Sequence, residues 1–513
     1  MRIGIDVGGT NTDAVLIDGD KVIYSNKTGT TEDITSGVRT VLKALVKANP
    51  DCPKKISAVM IGTTHFINAV VQRRHLNKVA IIRVGLPASA SLKPMIDWPE
   101  DLRELVDGNS FLIEGGHEYD GRPIMPLNEN AVEEAAQIIA ESGVTAVAIS
   151  SIFSPLTIEH EQLAFDILKA KNPKLRISLS NRFGRIGLLE RENVTILNAS
   201  LQDLAASAIT AFETAINASG IKAPLYVTQN DGTVTSAAIA LETPVFGFAS
   251  GPTNSMRGAA FLSGIEDAVV VDIGGTTSDV GCLKAGYPRE ANNVVEVGGV
   301  RTLFRMPDVL SIGIGGGTMF AKDPIKVGPQ SVGHRLQELA LVFGGKQVTL
   351  TDIAVAFGIA DIGNKSLVNN LPYKLVSEVM QSTHQMLTET VDCMKTDANE
   401  TPLLVVGGGA MLCPDSMDGI SEVIRVPHAG VANAVGAAMA QISGEVDHVF
   451  NNMSREDLLQ KAEHIATDRA IAAGADAASI RVVEVEDLPL AYIPGNAVRA
   501  RVRVVGEIAR EKK

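Results

Sequence analysis

Two matching octapeptides carry the chemistry most readily proposed for this chain. Asp6-Val-Gly-Gly-Thr-Asn-Thr-Asp13 and Asp272-Ile-Gly-Gly-Thr-Thr-Ser-Asp279 share the pattern D-[VI]-G-G-T-x-[TS]-D, each behind a short apolar run. A glycine pair after a strand lets the backbone turn sharply and bring its N–H groups close to an anion. Neighbouring hydroxyls and amides add donors. Gly8, Gly9, Thr10, Asn11 and Thr12 on one side, and Gly274, Gly275, Thr276, Thr277 and Ser278 on the other, are therefore the expected phosphate contacts. Asp6 and Asp272 would face the same phosphates, which a carboxylate tolerates only with a cation between them; Mg²⁺ is the expected ion. Two such turns facing across a cleft would clamp a triphosphate. Asp13 or Asp279 is then available to orient water or substrate, so the four aspartates form the expected catalytic set.

Two further segments follow in order. Leu403 to Met411 is an apolar strand running into Gly407, Gly408 and Gly409, which permits close backbone approach to a base or ribose, and His428 to Ala440 is a small-residue helix suited to tight packing at a hinge. No P-loop, dinucleotide fingerprint, H-E-x-x-H or G-x-S-x-G is found. A phosphate turn, a second phosphate turn, an adenosine turn and a hinge helix together resemble the actin, hexokinase and Hsp70 superfamily. That resemblance implies an α/β, two-lobed, ribonuclease-H-like fold with ATP and Mg²⁺ between the lobes.

The elements that must position these residues follow from periodicity. Ile3, Ile5 and Val7 alternate into the first turn, AVLID and KVIYS continue a three-strand meander, DITSGVRTVLKALVKA has helical spacing, and ISAVMIG reads as a buried strand. Asn128 to Gly143 and IEHEQLAFDILKAK are helices flanking the strand VTAVAISSIF, so α and β elements alternate. The recurrence of the octapeptide implies two related halves. We expect an N-terminal lobe over 1–200, a second lobe over 201–445, and a helix-and-strand tail over 446–513.

Composition bounds the function. The 513 residues suit two large domains or three ordinary ones, with ample apolar content for more than one core. Lys plus Arg number 46 against 59 Asp plus Glu, a net charge of −13 without a basic run, which argues against nucleic acid as partner. Cys52, Cys282, Cys393 and Cys413 are scattered without a CxxC pair, so neither a disulfide framework nor a cysteine zinc site is expected. With no signal-like opening and no long apolar run, a cytoplasmic protein without membrane association is expected.

Within the superfamily the chain resembles the hydantoinase/oxoprolinase A family, the ATP-using subunits of hydantoin and 5-oxoproline hydrolases and of acetone-type carboxylases. The resemblance rests on GIDVGGTNTDAVL, IGTTHFINAVVQRRHLNKVAII, ERENVTILNASL, TQNDGTVTSAAIA with ASGPTNSMRGAA, VVDIGGTTSDVG and SIGIGGGT. It implies phosphoryl activation of the carbonyl oxygen of a small cyclic amide or ketone, such as hydantoin or 5-oxoproline. It also implies a B-type hydrolase subunit as partner, a homo-oligomer, and substrate contacts from Thr63, Thr64, His65, Asn68, Glu190, Asp231, Gly315 and Gly316. The alternatives are a small-molecule kinase, a carboxylase-activating subunit, and a nucleotide-dependent binding module. Two family histidines are replaced here by Ile61 and Leu310, and the chain stops short of the family's longer members. If both positions wall the substrate site, the isolated chain should turn over hydantoin or 5-oxoproline weakly, unless His65 substitutes.

Overall fold

In the computed structural model, which describes residues 1–29, 34–183, 186–291, 294–491 and 496–509, the two octapeptides open two copies of one sheet. The first copy contains β1 (Arg2–Val7), β2 (Asn11–Asp18), β3 (Lys21–Gly29) and β4 (Ala58–Thr63), followed by the strand Leu225–Thr228. Its order is β3, β2, β1, β4, then 225–228; the hairpins are antiparallel and β1 runs parallel to β4. The strands Ala268–Ile273, Ser278–Lys284, Tyr287–Pro288, Thr401–Val406 and Ile420–Arg425 repeat that order and those directions. A tight turn joins the antiparallel strands, whereas the parallel partners need long crossovers that carry helices. This is the ribonuclease-H-like topology, twice.

Alternation in β1 explains how it is held. Ile3, Ile5 and Val7 pack with Val38, Leu42 and Leu45 of the helix Ile34–Ala48; the expected start of that helix at Asp33 lies outside the described residues. On the other face, Val15 and Ile17 of β2 meet Ala434, Val435 and Ala438 of the helix Ala432–Met439. The second sheet likewise packs Val269 and Val271 against Leu350, Val376 and Val379 on its outer face, and Val270 and Leu404 against Met256 and Ala259 of the helix Ser250–Ser263 on its inner face. Two helices thus lie between the sheets, crossing backbone to backbone. A Cβ on Gly258 would sit 2.0 Å from Ala432 O, and one on Gly436 1.9 Å from Asn254 O.

The sheets do not follow the expected boundaries. Residues 225–236, assigned to the second lobe, extend the first sheet, and so does the tail. The strand Ile442–Phe450 crosses the expected 445/446 boundary and pairs along its whole length with Val498–Gly506, which in turn pairs with Arg481–Pro489. Val446, Val502 and Val504 cover Leu458, Ala462 and Ala466 of the helix Arg455–Ala472, so the tail is part of the first sheet's core. Its last residues, 510–513, and the 492–495 part of the expected LAYIPG segment lie outside the described residues. A separate four-stranded parallel sheet, Val79–Leu86, Asp107–Glu114, Ala146–Ser151 and Arg176–Leu179, stands within the first 200 residues. Among the described residues, no helix is long and apolar enough to cross a membrane.

Candidate functional site

Both octapeptides close the same turn. Gly8 N–H donates to Asn11 O at 3.0 Å and Gly274 N–H to Thr277 O at 2.9 Å. Strand register places Asp6 opposite Asp13 and Asp272 opposite Asp279, and directly opposed residues share a face. Each half therefore presents two carboxylates on one side. The turns approach each other: Thr10 Cγ2 lies 3.9 Å from the position of a Cβ on Gly275, and around Gly9 the space is open.

The aspartates form an electrostatic cluster. Asp6 is only 3% exposed, deeper than expected for a strand end at an open cleft. Asn433 Nδ2 donates to its Oδ2 at 3.4 Å, whereas Oδ1 is buried without a hydrogen bond among the described residues. Burial, then the Asp13 carboxylate, pushes Asp6 up to about 7. Burial raises Asp13 to about 6 against the pull of Lys27, whose Nζ is 3.3 Å from Asp13 Oδ1. Burial also raises Asp272, which accepts from Ser255, and lifts Asp279, which accepts from Ser311, to about 6. Ser255 Oγ lies 2.5 Å from Asn433 Oδ1, so Asn433 and Ser255 link the aspartates of the two halves.

Buried carboxylates that resist ionisation, with one oxygen lacking a donor, suit a divalent cation. Among the described residues no three His, Cys, Asp or Glu side chains group as ligands. A cation here would therefore take Asp6 and Asp272 and complete its shell with phosphate and water oxygens, which is how Mg²⁺ is usually held.

The remaining expected residues divide. Thr12 and Ser278 are fully buried. Ser278 gives its hydroxyl to Ile314 O at 2.6 Å, and Thr12 packs where a Cβ on Gly37 would be 2.8 Å from its Oγ1. Both side chains are thus turned into the fold, whereas phosphate contacts were expected of them. Gly407, at φ +91°, fits where a Cβ would meet Asp272 Oδ1 at 2.3 Å; Gly409 N–H donates to Ile273 O at 2.7 Å, and Gly408 faces open space. Thr63, Thr64, His65 and Asn68 gather where β4 meets the helix His65–Gln72: Thr64 N–H donates to Val7 O at 3.3 Å, Asn68 Nδ2 to Thr64 Oγ1 at 3.3 Å, and Thr63 Oγ1 lies 2.6 Å from His65 Nδ1. Burial lowers the pKa of His65.

Gly315 and Gly316 back the second turn, with Gly316 N–H donating to Gly274 O at 3.0 Å and a Cβ on Gly315 falling 2.5 Å from Thr276 N. Both glycines, expected as substrate contacts, therefore lie against the second turn. Glu190 pairs with Arg301 at 3.4 Å, and Asp231 is held by Arg305 at 3.4 Å, Arg503 at 3.7 Å and the Thr233 hydroxyl at 2.5 Å. Neither joins the aspartates.

The two substituted histidine positions lie apart from the aspartates. Ile61 is fully buried between Ile5 and Val227 in the core of the first sheet. Leu310 sits opposite Val280, whereas its neighbour Ser311 is opposite Asp279, so alternation turns Leu310 to the other face. Neither walls the aspartate cluster. Residues that the reading of motifs passed over are Lys27, Asn254, Ser255, Ser311 and Asn433. Ser255 lies in ASGPTNSMRGAA and Asn433 in the hinge helix, each one turn away from a glycine of the crossing.

Fold and site together define a duplicated ribonuclease-H-like protein whose two halves bring their D-x-G-G-T turns and paired aspartates together. The chain belongs to the hydantoinase/oxoprolinase family, whose N-terminal region matches residues 2–171 and whose hydantoinase/oxoprolinase domain matches residues 191–362. It is 28% identical over 396 residues to the caprolactamase subunit alpha of Pseudomonas jessenii, covering 70% of this chain and 54% of that one. It is 24% identical over 390 residues to the acetophenone carboxylase gamma subunit of Aromatoleum aromaticum, covering 69% and 53%. In these alignments the chain spans about half the length of those two relatives. The crystal structure of the ATP-dependent caprolactamase from Pseudomonas jessenii shares the fold, with a TM-score of 0.79 and 19% identity over 99% of this chain and 88% of that chain.

Proposed function

We propose that the cleft binds ATP with Mg²⁺ and activates the carbonyl oxygen of a small lactam, as the ATP-using part of a cyclic-amide hydrolase. The observation that carries this reading is the pair of D-x-G-G-T turns facing each other with four mutually repelling aspartates behind them. ATP would supply the phosphoryl group that turns a poor electrophile into one with a good leaving group, and Mg²⁺ would offset the charge spread over it. The backbone N–H groups of Gly9, Thr10, Gly275 and Thr276 orient the phosphates. Asp6 and Asp272 hold the cation, and Asn433 with Ser255 keeps those two carboxylates in register across the halves. Asp13 or Asp279, raised to about 6, accepts a proton from water or substrate near neutral pH.

A second reading, activation of a ketone for carboxylation, is favoured by the likeness to the acetophenone carboxylase subunit. Both named relatives are subunits, so a B-type partner belongs to either reading. Purified protein, with and without candidate partners, is to be incubated with ATP, Mg²⁺ and a panel of lactams, hydantoins and ketones. A ring-opened acid with ADP and phosphate supports the hydrolase. A stable phosphorylated product means a kinase, and bicarbonate-dependent consumption of ketone means a carboxylase. ATP binding without turnover in any arm leaves a nucleotide-dependent binding module.

A further inference from the structure

A cavity of about 680 Å³ lies beyond Leu225–Thr228, walled by the strands Val234–Ser236 and Ile442–Phe450 and the helix Arg455–Ala472. It adjoins the aspartate cluster through the chain itself. Gln229 lines it, and the preceding Thr228 accepts a hydrogen bond from Asn254 at 3.2 Å, beside Asp6. The size suits a small organic molecule, and Phe183, Ile239, Phe246 and Ile465 provide apolar wall.

Its arginines are not equivalent. Arg305 and Arg501 are saturated by Glu290, Glu445 and Glu484, and Arg182 is shared with Glu242 at 2.7 Å. Arg469 lines the cavity yet pairs with no carboxylate among the described residues; its Nη1 donates to a neutral acceptor, Glu445 O, at 2.7 Å. A guanidinium carries five N–H donors in a planar fork matched to a carboxylate, and this one has most of its fork left over.

We infer that the cavity takes a small molecule with an apolar body and one carboxylate, held by Arg469 with Arg182 beside it. Calling that molecule the substrate rests on the ATP-dependent reading above; the binding itself does not. Calorimetry on the full chain without nucleotide tests the site with three matched pairs: 5-oxoproline and 2-pyrrolidinone, hexanoate and hexanamide, benzoate and benzamide. At least one carboxylate should bind about tenfold or more tighter than its neutral partner. Arg469→Gln should abolish that preference, leaving the neutral partner's affinity and the melting temperature unchanged, and Arg469→Lys should keep part of it. Should Arg469→Gln fail to fold, Arg182→Gln should weaken the carboxylate alone. Equal binding within all three pairs, a preference that survives Arg469→Gln, or inorganic phosphate binding as well as the best carboxylate would overturn the inference. A carboxylate preference in a protein that never turns over ATP would count against the proposed function and leave this site standing.

Discussion

Thr10 and Gly275 face each other across the cleft, with Thr10 Cγ2 3.9 Å from where a Cβ on Gly275 would lie. A methyl fits at that distance, but a longer side chain would push between the two turns, where we propose that the phosphates bind. Gly275→Leu should weaken ATP binding by about tenfold or more, while Gly275→Ala stays near wild type. Titration with a fluorescent nucleotide, alongside thermal melting to show an intact fold, checks this.

Asp272→Ala should lower ATP turnover by about a thousandfold while costing no more than about 1 kcal/mol of stability. The carboxylate is half-buried, and without it Ser255 keeps its contact with Asn433. Asp6→Asn tests the deeper member, whose charge is opposed by burial and by Asp13; turnover should fall equally. Retained ATPase activity in either variant would make these aspartates structural.

The helix crossing between the sheets has no room for a methyl. Gly258→Ala drives a Cβ to 2.0 Å from Ala432 O, a backbone atom that cannot step aside alone. We expect a loss of about 3 kcal/mol or more. Gly430→Ala, with nothing within 4 Å of its Cβ, should be neutral. Chemical denaturation of the two variants compares them directly.

Glu445 makes a pH prediction. Burial resists its charge, but Arg305, Arg501 and Arg503 outweigh that and hold its carboxyl at about 2, below the ordinary 4.5. A depressed acid stabilises the fold above the unfolded value and loses that contribution as the pH falls from 4.5 toward 2. Glu445→Gln should cost about 3 kcal/mol at pH 7, because Arg305 and Arg501 each lose one of their carboxylate partners. Its stability should also change less than wild type's over that acid window, as measured by denaturation at a series of pH values.

Restoring a histidine at the two substituted positions should separate them. Ile61→His buries an imidazole among Ile5 and Val227 and should destabilise by about 2 kcal/mol or more. Leu310→His, on a 38% exposed side chain, should be tolerated. A gain of turnover in Ile61→His would show that the core position reaches the chemistry after all.

Features that depend on neighbours along the chain were legible in the residues alone. The D-x-G-G-T turns, the alternation of β1 and the helix cap at Asn128, whose side chain accepts from Ala131 N–H at 3.1 Å, involve residues a few positions apart. Their types state the geometry directly. Which face each residue takes, and which distant segments meet, depended on packing between elements far apart in the chain. Thr12 and Ser278 have the right chemistry for phosphate, yet packing turned them inward. Ile61, where the family resemblance led us to expect a histidine, lies in the core because β4 is a central strand with Gly62, not Ile61, on the Asp6 face. The tail joined the first sheet because Val502 and Val504 needed cover that the helix Arg455–Ala472 supplies. Arg469 came to line a cavity with residues 182, 229, 239 and 445 only through the fold, and contacts between such distant segments leave no signature in local spacing.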